Sequence, residues 1–86
     1  MTIQVSNISL NMIDADVRRL FTAFGTVDSA EVSRNKFNGR SNGVAQVMMP
    51  NDTQARQAII SLDQTIMDGK KITVNEFPDL TYRYLT

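Results

Sequence analysis

Polar and apolar residues alternate at the start of the chain. Within residues 2–8, the apolar residues Ile3 and Val5 are at odd positions, and the polar residues Gln4 and Ser6 are at even positions. Because successive side chains of a strand point to opposite faces, this pattern predicts a strand with one buried and one exposed face.

The apolar spacing changes to a helical period over residues 13–24. One stripe is formed by Ile13, Val17, Leu20, Phe21 and Phe24. It predicts a helix with one buried side, which Gly25 ends. Asp14 lies in the first turn, where the helix dipole favours negative charge, and is spaced to pair with Arg18. Because Ile13 has no polar side chain, Asn11 is the expected N-terminal cap.

Two more alternating segments, residues 26–34 and 43–49, flank the tight-turn dipeptide Asn38-Gly39. This arrangement predicts an antiparallel hairpin. Pro50 ends the second of these strands.

A second helical stripe and a last strand complete the chain. The stripe consists of Ala55, Ala58, Ile59 and Leu62. Asp68-Gly69 then turns the chain into an alternating strand over residues 70–76. The predicted order of elements is βαββαβ.

All of these apolar faces are buried if both helices pack on one face of a single sheet. We therefore expect an α+β fold, a ferredoxin-like βαββαβ sandwich whose four-stranded antiparallel sheet carries two helices on one face. Residues 1–77 form the predicted domain and residues 78–86 a C-terminal tail. The opposite face of the sheet stays open, and it is the surface on which we expect function.

Composition narrows the possible functions. The 86 residues include nine Lys and Arg, nine Asp and Glu, and neither Cys nor His. Disulfides, zinc sites built on thiolate or imidazole, and thiol or histidine catalysis are therefore excluded. We expect a binding domain that is not an enzyme and needs no metal or cofactor. The N-terminus does not resemble a signal peptide and no apolar run is long enough to span a bilayer, so a cytoplasmic location is expected.

Two segments resemble the signature motifs of the RNA recognition motif family. Residues 3–8, IQVSNI, match its apolar–aromatic–apolar–x–Asn–apolar hexapeptide, and residues 42–49, NGVAQVMM, match its octapeptide. The flanking segments agree in order and spacing, so the resemblance covers residues 2–76. It implies the sandwich fold and binding of single-stranded RNA, as in small bacterial RNA-binding proteins of this family.

The family's stacking positions depart from the pattern. Aromatic rings on the two central strands normally stack on splayed bases. The matching residues here are Gln4, Val44 and Gln46, and the octapeptide begins with Asn42 instead of a basic residue. This departure predicts weak RNA binding, micromolar or poorer.

The residues expected to meet RNA share either the open face or the neighbouring turns. They are Gln4, Ser6, Asn7, Arg34, Lys36, Phe37, Arg40, Asn42, Val44, Gln46, Lys71, Thr73, Asn75, Phe77 and Tyr82. The two glutamines either read base edges by hydrogen bonds or only solvate the face. Likewise, the basic hairpin either contacts phosphates or is a solvated tip.

Two hypotheses address the absence of aromatic rings on the central strands. In one hypothesis Phe37, Phe77 or a tail tyrosine supplies the stacking. In the other, Tyr82 and Leu85 cover Val44 and Met48, within the same molecule or on a second copy. The alternative to RNA binding is therefore a protein-interaction module of the same fold, such as a homodimer.

Overall fold

A computed structural model describes residues 1–77 of the chain. The strands are β1 (Thr2–Ser6), β2 (Ser29–Arg34), β3 (Ser41–Met48), β4 (Ile66–Met67), β5 (Lys70–Lys71) and β6 (Thr73–Glu76). The helices are α1 (Asp14–Thr22) and α2 (Asp52–Leu62). No helix within these residues is long and apolar enough to cross a membrane.

Four strands form one antiparallel sheet in the order β2-β3-β1-β6, and β4 and β5 form a separate short hairpin. The motif strands β1 and β3 are therefore the two central strands. The α+β sandwich predicted from the periodicity is confirmed, with both helices on one face of the sheet.

The core lies between this sheet and the helices. Phe21 on α1 is fully buried, as are Ala55 and Ala58 on α2. The strands contribute apolar residues of the helix-facing parity, Ile3, Val5, Val32, Ala45, Val47 and Val74. No polar or charged residue within residues 1–77 is buried, so the core is held by apolar packing.

Two aspartates protect the outer edges of the sheet. Asp14 accepts a hydrogen bond of 2.8 Å from the backbone N–H of Val32 on edge strand β2. Asp63, at the end of α2, accepts one of 2.8 Å from the N–H of Val74 on edge strand β6. This bond and one from the Gln64 side chain lower the pKa of the Asp63 carboxyl. The helices thus satisfy strand donors that would otherwise be open to pairing with another chain.

Two expectations about α1 are wrong. Ile13, not Asn11, is the N-terminal cap of α1, and its N–H donates to the Asp16 carboxylate at 3.1 Å. Arg18 forms no ion pair with Asp14, since its guanidinium donates to the carbonyls of Val27 and Asp28.

The last predicted strand, residues 70–76, is divided. Lys70–Lys71 pair with Ile66–Met67 in the small hairpin, and the strand that joins the main sheet is Thr73–Glu76. Ile72 lies between the two parts and is fully buried. Its N–H donates to Thr65 and its carbonyl accepts from Gln64, which directs the chain from one sheet to the other.

Candidate nucleic-acid interface

A row of polar side chains crosses the centre of the open face. The strand register places Glu31 opposite Gln46, Gln46 opposite Gln4, and Gln4 opposite Asn75. All four strands of the sheet contribute one residue. Opposing side chains in antiparallel strands have Cβ atoms about 4.5–5.5 Å apart, so one ligand can contact two or three of them.

The three carboxamides of this row are available to a ligand. The Gln4 side chain makes one long contact, 3.5 Å from its Nε2 to the Ser6 hydroxyl. Within residues 1–77 no hydrogen bond engages the side chain of Gln46 or Asn75, and both residues are exposed. Gln46 and Asn75 therefore each offer two N–H donors and an acceptor oxygen, whereas Gln4 offers its oxygen and the N–H that does not contact Ser6.

The rows of opposing residues on either side of this central row differ in polarity. Toward one end of the strands, Ser6 lies opposite both Val44 and Thr73. Toward the other end, Thr2 lies opposite Met48 and accepts a hydrogen bond from the Phe77 N–H at 2.8 Å. The first row is polar with one small apolar residue, and the second combines the apolar side chains of Met48 and Phe77 with Thr2 and Ser29.

The cations of the turns are found at one end of the sheet. The hairpin carrying Arg34, Lys36 and Arg40 joins β2 to β3 at the end where Ser6 and Val44 lie. Lys70 and Lys71 precede β6 and therefore lie at the same end. None of these five forms an ion pair with a carboxylate of residues 1–77. An electrically neutral chain thus presents a local positive end.

The basic hairpin has a defined turn. The Asn35 side-chain oxygen accepts from the N–H groups of Phe37 and Asn38, at 2.8 and 3.2 Å. The Asn38 side-chain oxygen in turn accepts from the Arg40 N–H at 2.9 Å. These side-chain bonds fix the backbone of the turn, while the Phe37 ring is 97% exposed.

Besides Gln4, three predicted site residues donate side-chain hydrogen bonds within the protein: Arg34, to the Gly39 carbonyl at 3.3 Å, Asn7 and Asn42. Asn7 adopts a left-handed backbone conformation, with φ of 62°, and its side chain donates to the Lys71 carbonyl at 2.9 Å. This bond ties the end of β1 to β5. Asn42 donates to the Ser33 hydroxyl at 3.3 Å, across an irregularity in the pairing of β2 with β3.

The structure thus divides the predicted residues into three groups. The open face brings together Gln4, Ser6, Asn42, Val44, Gln46, Thr73, Asn75 and Phe77. The β2–β3 hairpin carries Arg34, Lys36, Phe37 and Arg40, and Asn7 with Lys71 lies at the end of β1. Tyr82, together with the hypothesis that Tyr82 and Leu85 cover the sheet, lies outside the described residues.

The sequence did not single out a depression on the β2 side of the face. Glu31, Ser33, Val44 and Gln46 line it, with a volume of about 260 Å³. Alternation alone places all four side chains on the open face. Their grouping depends on the register between β2 and β3, which the sequence pattern does not give.

The central strands present no aromatic ring at the three stacking positions, Gln4, Val44 and Gln46. Among residues 1–77, Phe77 supplies an aromatic ring at the Met48 end of the face, and it is 42% exposed. The face therefore supplies hydrogen-bonding groups at its centre, apolar surface at one end and positive charge at the other.

Comparisons with known proteins agree with this geometry. A crystal structure of RNA Binding Protein PG1 has a TM-score of 0.89 and 33% identity, and the match covers 92% of this chain and 95% of that one. The RbpD protein of Nostoc sp. is 34% identical over 76 residues, 88% of this chain and 81% of its own length. The U11/U12 small nuclear ribonucleoprotein 31 kDa protein of Arabidopsis thaliana is 34% identical over 74 residues, and this chain spans 28% of its length.

The model of the RNA recognition motif matches residues 3–73. This segment includes both signature motifs, all four strands of the main sheet in whole or in part, and both helices. The expectation of a binding domain rather than an enzyme agrees with that match. The chain belongs to the RNA recognition motif family.

Proposed function

We propose that this chain binds single-stranded RNA through the open face of its four-stranded sheet. The observation that carries the proposal is the central row of three carboxamides, Gln46, Gln4 and Asn75, of which Gln46 and Asn75 form no side-chain hydrogen bond within residues 1–77. Unpaired bases expose their hydrogen-bonding edges, and a carboxamide can donate to one base atom and accept from another. Family membership and the RNA-binding or ribonucleoprotein names of relatives support the same function.

In this proposal, phosphates bind at the positive end of the sheet. Arg34, Lys36 and Arg40 extend from the hairpin there, with Lys71 beside β6. Contacts with three to five phosphates give a slope of log K against log salt of about −2 to −3.5, at about 0.7 per contact for a single strand.

The proposed binding is weak because stacking surface is limited. Each base stacked on an aromatic side chain contributes roughly 1–3 kcal/mol in single-strand binders. Gln4, Val44 and Gln46 replace three such rings. We therefore expect a Kd in the micromolar range or weaker.

The test is the double variant Gln4→Ala with Gln46→Ala. Two hydrogen bonds of about 0.5–1.5 kcal/mol each correspond to a loss of affinity of about tenfold. Gln57→Ala removes a carboxamide from the exposed surface of α2 and is the matched control, expected to leave affinity unchanged. Fluorescence anisotropy with labelled octamer RNAs measures all three chains. Equal affinities of the double variant and the control would contradict the proposal.

One observation favours the alternative, a protein-interaction module of the same fold. Met48 and Phe77, 49% and 42% exposed, flank Thr2 at the apolar end of the face. A partner or a second copy that buries these side chains would gain hydrophobic free energy. Sedimentation at increasing concentration distinguishes the two functions, because RNA binding by the monomer requires no dimer. The cytoplasmic location stays a prediction.

A further inference from the structure

The depression between β2 and β3 combines groups of unlike chemistry. Val44 is its apolar member, and Glu31, Ser33 and Gln46 supply its polar atoms. Its volume of about 260 Å³ is below the roughly 300–1,000 Å³ typical of pockets for drug-sized ligands. A single planar base is a suitable occupant, with Val44 beneath the ring and the polar groups at its edge.

The hydrogen-bonding state of each polar group can be inferred from its neighbours. Glu31 is exposed, forms no ion pair within residues 1–77, and therefore presents two acceptor oxygens. The Ser33 oxygen accepts from Asn42, which leaves its own O–H free to donate. Gln46, opposite Glu31, adds N–H donors on the other side.

We propose that this depression is a base subsite that selects guanine, with Glu31 as the residue that determines specificity. The proposal rests on the proposed function, since it assigns a preference to the same RNA-binding face. The Glu31 carboxylate accepts from the adjacent N1–H and N2–H donors of guanine. The O6 atom of the base then accepts from the Ser33 hydroxyl or the Gln46 amide.

Guanine is the base whose Watson–Crick edge best matches this arrangement. Its edge has two adjacent donors beside one acceptor, so both carboxylate oxygens are satisfied. Cytosine and adenine each offer one exocyclic amine next to acceptor atoms. Uracil places a carbonyl on each side of a single N–H, and these carbonyls repel the carboxylate. Hydrogen bonds to a charged acceptor are stronger than neutral ones, so the difference between bases is large.

A competing explanation of Glu31 is that a charge on edge strand β2 prevents pairing with another chain. A carboxylate on a surface that binds phosphates lowers affinity unless it also accepts a hydrogen bond from the ligand. A hydrogen bond from guanine to Glu31 offsets this loss of RNA affinity, whereas protection of the sheet edge does not. The two explanations therefore predict different base preferences.

The experiment compares labelled octamers of uridine that carry guanosine, inosine or no substitution at the central positions. We expect the unaltered chain to bind the guanosine octamer at least about tenfold more tightly than the uridine octamer. Inosine lacks the N2 amine and should lose most of this advantage. Glu31→Gln should bind all three octamers within about threefold of one another, because its amide offers only one acceptor oxygen.

Asp28→Asn is the control for charge. Asp28 is exposed just before β2, and its position in the alternation assigns it to the face that carries the helices. The substitution removes the same negative charge as Glu31→Gln without altering the depression. It should keep the guanosine preference. Equal binding of the guanosine and uridine octamers by the unaltered chain overturns the guanine subsite but leaves RNA binding intact. A preference that survives in Glu31→Gln overturns the role of Glu31, and binding of no octamer overturns both the subsite and the proposed function.

Discussion

Restoring one ring to the open face should strengthen RNA binding. Val44 occupies a stacking position on central strand β3 and is half-buried among polar neighbours. It lies opposite Ser6, whose short side chain leaves space for a larger neighbour. In Val44→Phe the ring should therefore lie over the sheet without displacing the core.

The expected gain follows from stacking. One base on an aromatic ring contributes roughly 1–3 kcal/mol, which corresponds to an increase in affinity of about 5- to 150-fold. Anisotropy titrations with the uridine octamer measure it, because a larger side chain at residue 44 also changes the depression beside Glu31. Because residue 44 is on the exposed side of the sheet, the free energy of unfolding should change by less than about 1 kcal/mol.

The control is Ile60→Phe, which adds a ring on the outer surface of α2, where Ile60 is 79% exposed. It has the same added aromatic surface but lies on the helical side of the molecule. We expect no change in RNA affinity. If Val44→Phe folds normally and binds no better than this control, bases do not lie over the centre of the sheet, and the reasoning is refuted.

The other predictions concern stability and salt dependence. Phe21→Ala should lower the free energy of unfolding by about 3–5 kcal/mol in urea melts, because Phe21 is fully buried, whereas Phe37→Ala should change it by less than about 0.5 kcal/mol. Asp63→Ala should cost about 1–2 kcal/mol at pH 7, because it leaves a strand N–H unsatisfied. Because the pKa of Asp63 is below its ordinary value of 3.8, the pH-dependent part of this cost should begin to fall below about pH 4 and be lost as the pH of the melts passes through the lowered pKa. Lys36→Ala with Arg40→Ala should reduce the magnitude of the salt slope by about 1.4, and an unchanged slope would exclude these residues from phosphate contact.

The face on which each strand residue lies could be predicted, because successive side chains of a strand point to opposite faces of the sheet. Once Ile3 and Val5 are assigned to the core, Gln4 must lie on the other face. The same argument places Gln46 and Asn75. The open face was therefore predictable residue by residue from apolar alternation.

Register and turn contacts could not be predicted in this way. The register of β2 on β3 shifts between Val32 and Arg34, next to the pair Glu31 and Gln46, and both residues of this pair line the depression. Similarly, Asn7 belongs to a signature motif, but its amide binds the Lys71 carbonyl, 64 residues away. Such contacts depend on how distant segments meet, which a local pattern does not contain.

The helix ends show the same limit. A polar residue before α1 was expected to cap it, but the Asp16 side chain reaches back to the Ile13 N–H. Asp14 was expected to pair with Arg18 within the helix, but its carboxylate binds the Val32 N–H of β2. Tertiary contacts outweigh a surface pair worth only tenths of a kcal/mol.

The most direct test of the account is to map amide chemical shifts during titration with a pool of random single-stranded RNA octamers. We predict shifts on the open face, at Gln4, Gln46 and Asn75, and in the hairpin around Lys36, with little change in α1 and α2. Shifts confined to the helices, or no shift at millimolar RNA and low salt, would contradict it.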